Sequence, residues 1–201
     1  DFTAVVVTQG AELPELPPQT RVVSVPDSLM QSLSSMRTPQ GVVFALRLPQ
    51  RPALSLRPGM VLLDRIQDPG NLGTILRTAD AFEIPVVLTN GCADPYSDKT
   101  VRASMGAVFR TQPQIAELEE VLHLCREQEI PLAATALSPA ARDIREVPLA
   151  GSLAVIGSEG QGICKELLDA SQMQVIIPMS PRCESLNAAV AAALVMWQMR
   201  S

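Results

Sequence analysis

A parallel α/β sheet preceded by a smaller α+β unit is the fold this sequence predicts, on three observations. After Gly59, short apolar runs alternate with helical patterns, the order that gives strands joined by crossover helices. Three polar or glycine-rich loops each follow one of those apolar runs, where ligand loops sit at the carboxyl ends of parallel strands. Ahead of them, the stretch Pro49 to Pro58 holds prolines at 49, 52 and 58 and no apolar period, so it reads as a connection.

The elements follow in order. The opening region reads as strand Phe2 to Thr8, a proline-rich loop through Pro14, Pro17 and Pro18, strand Arg21 to Val25, helix Asp27 to Ser35 and strand Gly41 to Leu48. Residues 1–50 are short for an independent domain. The chain opens at Asp1 inside an apparent strand and without a methionine, so we expect a fragment whose true beginning is absent. With 51–58 as linker, residues 59–201 form the main domain. Strands are expected there near Val61 to Ile66, Val86 to Asn90, Leu132 to Leu137, Leu153 to Gly157 and Gln174 to Pro178. Helices are expected at Leu72 to Phe82, Lys99 to Phe109, Glu117 to Gln128, Lys165 to Ala170 and Leu186 to Arg200. The last is apolar nearly all round, which requires burial in the core or at a subunit contact.

Composition narrows the function. An apolar content of 47% over 201 residues suffices for a core. Cys92, Cys125, Cys164 and Cys183 are widely spaced without a CxxC pair, so we expect neither a zinc site nor a disulfide framework, and a reducing cytoplasm fits best. No run approaches the roughly 20 apolar residues of a membrane span, and the N-terminus carries no signal-peptide pattern. A net charge of −5 by itself argues against a nucleic-acid partner. The balance is local, however. Glu117, Glu119, Glu120, Glu127 and Glu129 share one helical stretch and read as a solvated face, while Arg65, Arg77, Lys99, Arg102 and Arg110 gather around the first polar loop.

Five residues in the loops carry candidate chemistry. Asn71, near a helix start, reads either as a cap for the first turn or as a ligand contact, and Arg77 lies six residues on among Ile75, Leu76, Ala79 and Phe82, where it could snorkel from an apolar face. Glu159 is a carboxylate within Gly157-Ser-Glu-Gly-Gln-Gly162, a loop whose glycines let backbone N–H groups approach a ligand. That loop lacks the Lys-Ser/Thr of a Walker motif and the spacing of a dinucleotide fingerprint, and so does Gln67-Asp-Pro-Gly-Asn-Leu-Gly73, which argues against phosphate-loop and nicotinamide or flavin enzymes. Ser185 and Asn187 precede an alanine-rich helix and again read as caps or as ligand contacts. His123 falls mid-helix between leucines, with no serine or aspartate beside it, and reads as structural.

Taken together, Asp64-Arg-Ile-Gln-Asp-Pro-Gly-Asn-Leu-Gly-Thr-Ile-Leu-Arg77, Leu153-Ala-Val-Ile-Gly-Ser-Glu-Gly160 and Val175-Ile-Ile-Pro-Met179 with Ser185-Leu-Asn187 stand in one order that resembles the SpoU (TrmH-type) family of the SPOUT superfamily, RNA ribose 2′-O-methyltransferases that use S-adenosylmethionine. The resemblance covers residues 59–201. It implies a parallel-sheet SPOUT fold with a C-terminal trefoil knot, a bent donor in the knotted crevice, and a homodimer that completes the RNA site. It assigns catalysis to Asn71, Arg77, Glu159, Ser185 and Asn187. Donor binding falls to Thr135, Ala136, Gly157, Glu159, Gly160, Ile177, Met179, Ser185, Leu186 and Asn187. The segment Lys99-Thr-Val-Arg-Ala-Ser-Met-Gly-Ala107 resembles a family helix that puts Lys99, Arg102 and Ser104, with Arg77, near RNA, with the dimer contact as the alternative for Arg102 and Ser104. No metal is implied. Residues 1–50, with Thr38-Pro-Gln-Gly-Val-Val43, look like the end of a partial α+β substrate-binding domain of ribosomal-protein-like fold, which points to ribosomal RNA, with transfer RNA as the alternative. The family's usual proposal gives Arg77 the proton of the ribose hydroxyl; a guanidinium with a pKa above about 12 is a poor base, so we expect it to act by charge. A catalytically silent RNA-binding member would lack Arg77, Glu159 or Asn187, and all three are present.

Overall fold

The structure is a computed structural model that describes residues 2–50 and 53–200. The chain divides into two compact units, Asp1–Gln50 and Arg51–Ser201. In the first, strands β1 (Phe2–Thr8), β2 (Arg21–Val25) and β3 (Val42–Leu46) form a sheet in the order β2-β1-β3, with β2 parallel and β3 antiparallel to β1. Helix α1 (Asp27–Leu33) lies between β2 and β3 in sequence and buries Met30. Of the linker expected at 51–58, Arg51 and Pro52 lie outside the described residues. The remainder belongs to the second unit: Leu56 is buried, and Ser55 exchanges backbone hydrogen bonds with the Gln114 side chain at 2.7 and 3.1 Å.

The second unit is a seven-stranded parallel sheet. Its strands are β4 (Val61–Asp64), β5 (Val86–Thr89), β6 (Gln114–Ala116), β7 (Leu132–Thr135), β8 (Arg142–Asp143), β9 (Leu153–Gly157) and β10 (Met173–Ile176), in the order β6-β5-β4-β9-β7-β10-β8. Helices α2 (Pro69–Phe82), α3 (Asp98–Ala103), α4 (Val108–Thr111), α5 (Leu118–Glu127), α6 (Lys165–Ala170) and α7 (Ala188–Arg200) connect and flank it. The central strands are apolar on both faces, as sheets covered on both sides are. Val61 and Leu63 join one core with α2 and α7, while Leu62 joins the other with α5 and α6.

Helix α2 shows how sequence sets position. Leu72, Ile75, Leu76 and Ala79 recur at helical spacing and are fully buried. Burying each large side chain stabilises by roughly 1.5–3 kcal/mol, against about 1 kcal/mol for an N-cap, so packing places the helix and the cap fixes where it begins. That cap is Asp68, whose carboxylate accepts the Asn71 N–H at 2.8 Å, with Pro69 as the first helical residue.

Several expected boundaries move. The helix expected over Lys99 to Phe109 is two short helices, because Met105 and Gly106 take left-handed backbone conformations (φ 52 and 78) between them. Helix α7 starts at Ala188 rather than Leu186, because Asn187 caps it. The short strands β6 and β8 were not anticipated. No helix among the described residues is long and apolar enough to cross a membrane.

Two outcomes follow from this packing. A Cβ on Gly73 would stand 2.5 Å from the Ala103 Cβ and 2.6 Å from the Thr100 carbonyl oxygen, where α2 meets α3. Gly73→Ala gains about 1 kcal/mol of helix propensity, but the obstructing atoms are largely backbone, so urea unfolding should show a net loss of about 1–3 kcal/mol. Asp68 has its pKa lowered, first by the Asn71 N–H and then by Lys99. Its contribution is therefore present above the ordinary carboxylate pKa and is lost as pH falls through the depressed folded value, so Asp68→Asn should lose less stability than the native chain between about pH 5 and pH 2.

Candidate active site

Parallel register carries four strand ends to one edge. Asp64 at the end of β4 pairs with Gly157 at the end of β9, Val155 of β9 with Ala134 of β7, and Thr135 of β7 with Val175 of β10. The chain leaving β9 turns back at once. Ser158 and Gly162 exchange both backbone hydrogen bonds, at 3.1 and 3.0 Å, leaving Glu159 and Gly160 exposed at the tip. A Cβ on Gly157 would fall 2.2 Å from the Gly162 carbonyl carbon and 2.3 Å from the Ile163 nitrogen, so this return requires a residue without a side chain.

Three side chains from three elements form one directed chain of hydrogen bonds. At the start of α7, the Ala189 and Val190 N–H groups donate to Asn187 Oδ1 at 2.9 and 3.3 Å. An N–H can only donate, so the oxygen of Asn187 faces the helix and its Nδ2 faces outward, donating to Asn71 Oδ1 at 2.9 Å. Asn71 Nδ2 in turn donates to Glu159 Oε1 at 2.8 Å. The amide orientations are thus fixed from the helix end, and the positive end of α7 is relayed to the Glu159 carboxylate. Asn187 thus caps α7 through its oxygen, as one of its two sequence readings expected, and meets Asn71 through its nitrogen. Asn71 does not cap through its side chain, since Asp68 does.

The other expected site residues divide by position. Arg77 is exposed on the face of α2 that carries Thr74 and Thr78, and it makes no ion pair with any described residue. Thr135 and Ala136 lie at the β7 end, where the Thr135 hydroxyl donates to the Val155 carbonyl at 2.9 Å and Ala136 N–H to the Val175 carbonyl at 3.0 Å. Ile177 and Met179 follow β10 and are half-buried, as is Leu186; Ser185 is exposed. Lys99 is exposed and pairs with Asp68 at 3.1 Å, and Arg102 is exposed on the same helix. Ser104 does not fit the expected RNA contact. It is fully buried, its hydroxyl donating to the Val101 carbonyl at 2.8 Å, because it closes the turn after α3.

Sequence reading did not single out Asp68 as the cap or Asp64 as a site residue. The signal for Asp64 was a carboxylate ending the apolar run Val61-Leu-Leu; it is 1% exposed and accepts the Cys164 N–H at 2.7 Å. Cys92 also lies at this edge, its thiol donating to the Leu63 carbonyl at 3.3 Å. Burial pushes that thiol up to about 11, so it is not a thiolate nucleophile at neutral pH. The side chains that meet here are two fixed amides and the Glu159 carboxylate, which suits positioning rather than covalent catalysis.

Residues 58–197 match the model of the SpoU rRNA Methylase family. The 23S rRNA (guanosine(2553)-2′-O)-methyltransferase RlmP of Bacillus subtilis is 32% identical over 176 residues, covering 87% of this chain and 70% of that protein. A solved TrmH-family structure from Porphyromonas gingivalis superposes with TM-score 0.87 at 36% identity, covering 99% of this chain and 82% of the other. An rRNA methyltransferase from Sinorhizobium meliloti, solved with bound AdoMet, gives TM-score 0.81 at 29% identity, covering 99% and 79%. The chain spans 66% and 70% of the lengths of two curated relatives it matches.

The directed chain makes a prediction that separates capping from relay. Asn187→Ala should cost about 1 kcal/mol through loss of the cap, whereas Asn187→Asp should keep the cap and a melting temperature near native. The aspartate cannot donate to Asn71, so the Asn71 side-chain amide resonances should shift in both variants, as read by NMR.

Proposed function

Because the chain belongs to the SpoU rRNA methylase family, we propose that it transfers the methyl group of S-adenosylmethionine to a ribose 2′-hydroxyl of ribosomal RNA. The observation that carries this reading is the bonded chain from Glu159 through Asn71 to Asn187, which joins all three resemblance segments at one sheet edge. The named substrate of RlmP, 23S rRNA, supports the ribosomal choice.

The residues present fit the donor. Half-buried Ile177, Met179 and Leu186 offer apolar side chains for an adenosine, and the ends of β7, β9 and β10 offer backbone groups for its polar edge. A Cβ at Gly160 would meet no atom beyond its two chain neighbours within 4 Å, so the loop tip is open. When bound, the donor supplies a methyl group already activated as a sulfonium, so little acid–base machinery is needed. Thr135, Ala136, Gly157, Glu159, Gly160, Ser185 and Asn187 complete the donor site in this reading.

Arg77 meets the substrate. It acts by charge, holding a phosphate and stabilising the alkoxide that develops as the hydroxyl proton leaves. Asn71, Glu159, Ser185 and Asn187 hold the hydroxyl and the loops in place. Lys99 and Arg102 extend the basic surface; the exposed Lys99–Asp68 pair is worth at most about 1 kcal/mol, so an RNA phosphate can replace it. Ser104 is left out of this role.

The same reading includes a C-terminal trefoil knot, supported by β9 running between β4 and β7 and by α7 packing back beside α2. It includes a homodimer, supported by Val190, Leu194 and Trp197, which leave one apolar face of α7 exposed. Residues 1–50 act as part of an RNA substrate-binding domain. Four unpaired cysteines support a cytoplasmic location.

Calorimetric titration with S-adenosylmethionine and S-adenosylhomocysteine tests the donor site. The native chain should bind both, and Leu186→Arg should abolish binding. Arg77→Ala should keep donor affinity but lose methyl transfer by about 100-fold or more. Mapping of methylated riboses in rRNA and tRNA from cells lacking the protein then identifies the substrate. A folded chain that binds no donor would make it a silent RNA-binding scaffold.

A further inference from the structure

The loop that carries Glu159 is held by two residues with no role in the reading above. Arg65 is the first residue past β4, and its backbone is left-handed (φ 55), a conformation that favours glycine. Its side chain grips the buried Asp64 carboxylate with Nε on Oδ1 at 3.0 Å and Nη2 on Oδ2 at 3.2 Å. The remaining donors reach the loop: Nη1 bonds Gln161 Oε1 at 3.0 Å, and Nη2 lies 3.4 Å from the Gly162 carbonyl oxygen. Asp64 Oδ2 accepts the Cys164 N–H at 2.7 Å. One ion pair therefore takes hold of the loop at Gln161, Gly162 and Cys164, and the tip residue Glu159 stands two positions before the first of these. The planar fork of arginine makes this possible, since it binds a carboxylate side-on with donors to spare, which a lysine cannot do.

We infer that Arg65 is a positioning residue: with Asp64 it braces the Ser158–Cys164 return so that Glu159 meets Asn71, and so it sets donor affinity and alignment. The inference rests on the methyltransferase reading for its functional consequence. The backbone conformation at Arg65 would suit glycine better; it is held by the Arg65 N–H on Thr89 Oγ1 at 3.2 Å together with what the side chain binds. The brace is separate from the chemistry, because Arg65 touches none of Asn71, Arg77 or Asn187 through any hydrogen bond in the structure.

Two variants of the full chain separate bracing from folding. Arg65→Gly suits the backbone but leaves Asp64 buried without its cation, so part of its cost falls on the fold. Gln161→Ala removes only the link to the loop, keeps the Asp64–Arg65 pair and should leave the melting temperature unchanged. By calorimetry, S-adenosylmethionine affinity should fall about threefold in Gln161→Ala and about tenfold in Arg65→Gly. The double variant should bind no more weakly than Arg65→Gly alone, since both remove the same contact. Without any donor, amide hydrogen exchange over residues 158–164 should quicken in Arg65→Gly while the central strands stay protected. Native affinity in both single variants, with Arg65→Gly lowering only the melting temperature, would overturn the inference. If the native chain itself binds no donor, the methyltransferase reading fails, and unchanged exchange over 158–164 in Arg65→Gly would sink the brace independently.

Discussion

Parallel register is the constraint on which the rest of the second unit depends. Because β4, β9, β7 and β10 run the same way and lie side by side, every loop that leaves a carboxyl end emerges at one edge. Residues separated by up to 116 positions in sequence then come within hydrogen-bond distance, as Asn71 and Asn187 do. A parallel sheet must be covered on both faces, and the two apolar cores supply that cover: one holds α2 and α7, and the other holds α5 and α6.

Within that frame, polarity is imposed from the helix ends. The free N–H groups at the start of α7 orient Asn187, Asn187 orients Asn71, and Asn71 meets a carboxylate that can only accept. Each amide has one workable orientation, so the site needs no rearrangement to present fixed dipoles. The glutamate-rich helix is distinct from the helices that carry the exposed cations, although Asp80 and Asp98 also lie on α2 and α3. Glu117, Glu119, Glu120, Glu127 and Glu129 lie on or beside α5 and are exposed, whereas Arg77, Lys99 and Arg102 are exposed on α2 and α3.

The sequence was most legible where burial repeats with a period. Helices α2 and α5 follow from apolar spacing, and the central strands and α7 from unbroken apolar runs, because the same side chains fill the cores. It was least legible where a single residue redirects the chain. Helix 99–109 looked continuous, but Met105 and Gly106 break it, and Ser104, four residues after buried Thr100, faces inward with it. Strand ends were read two residues long at Ile66 and at Pro178, because apolar residues continue past the last ladder bond into the loops. The strands β6 and β8, three and two residues long, are too short to show a period.

By itself the sequence determined the parallel α/β class and the three loops, and the resemblance of those loops to a known family made Asn71, Arg77, Glu159 and Asn187 the residues to watch. Those depend on local pattern and on residue type, which the chain carries in order. Only the tertiary structure decided which polar side chains meet. It made Asp68 rather than Asn71 the cap, let Asn187 serve both helix and site, buried Ser104, and brought the Asp64–Arg65 pair against a loop almost a hundred residues away. The physical reason is that a hydrogen bond is set by distance and direction in space, and those are fixed by how the strands are ordered across the sheet, not by how they follow one another along the chain.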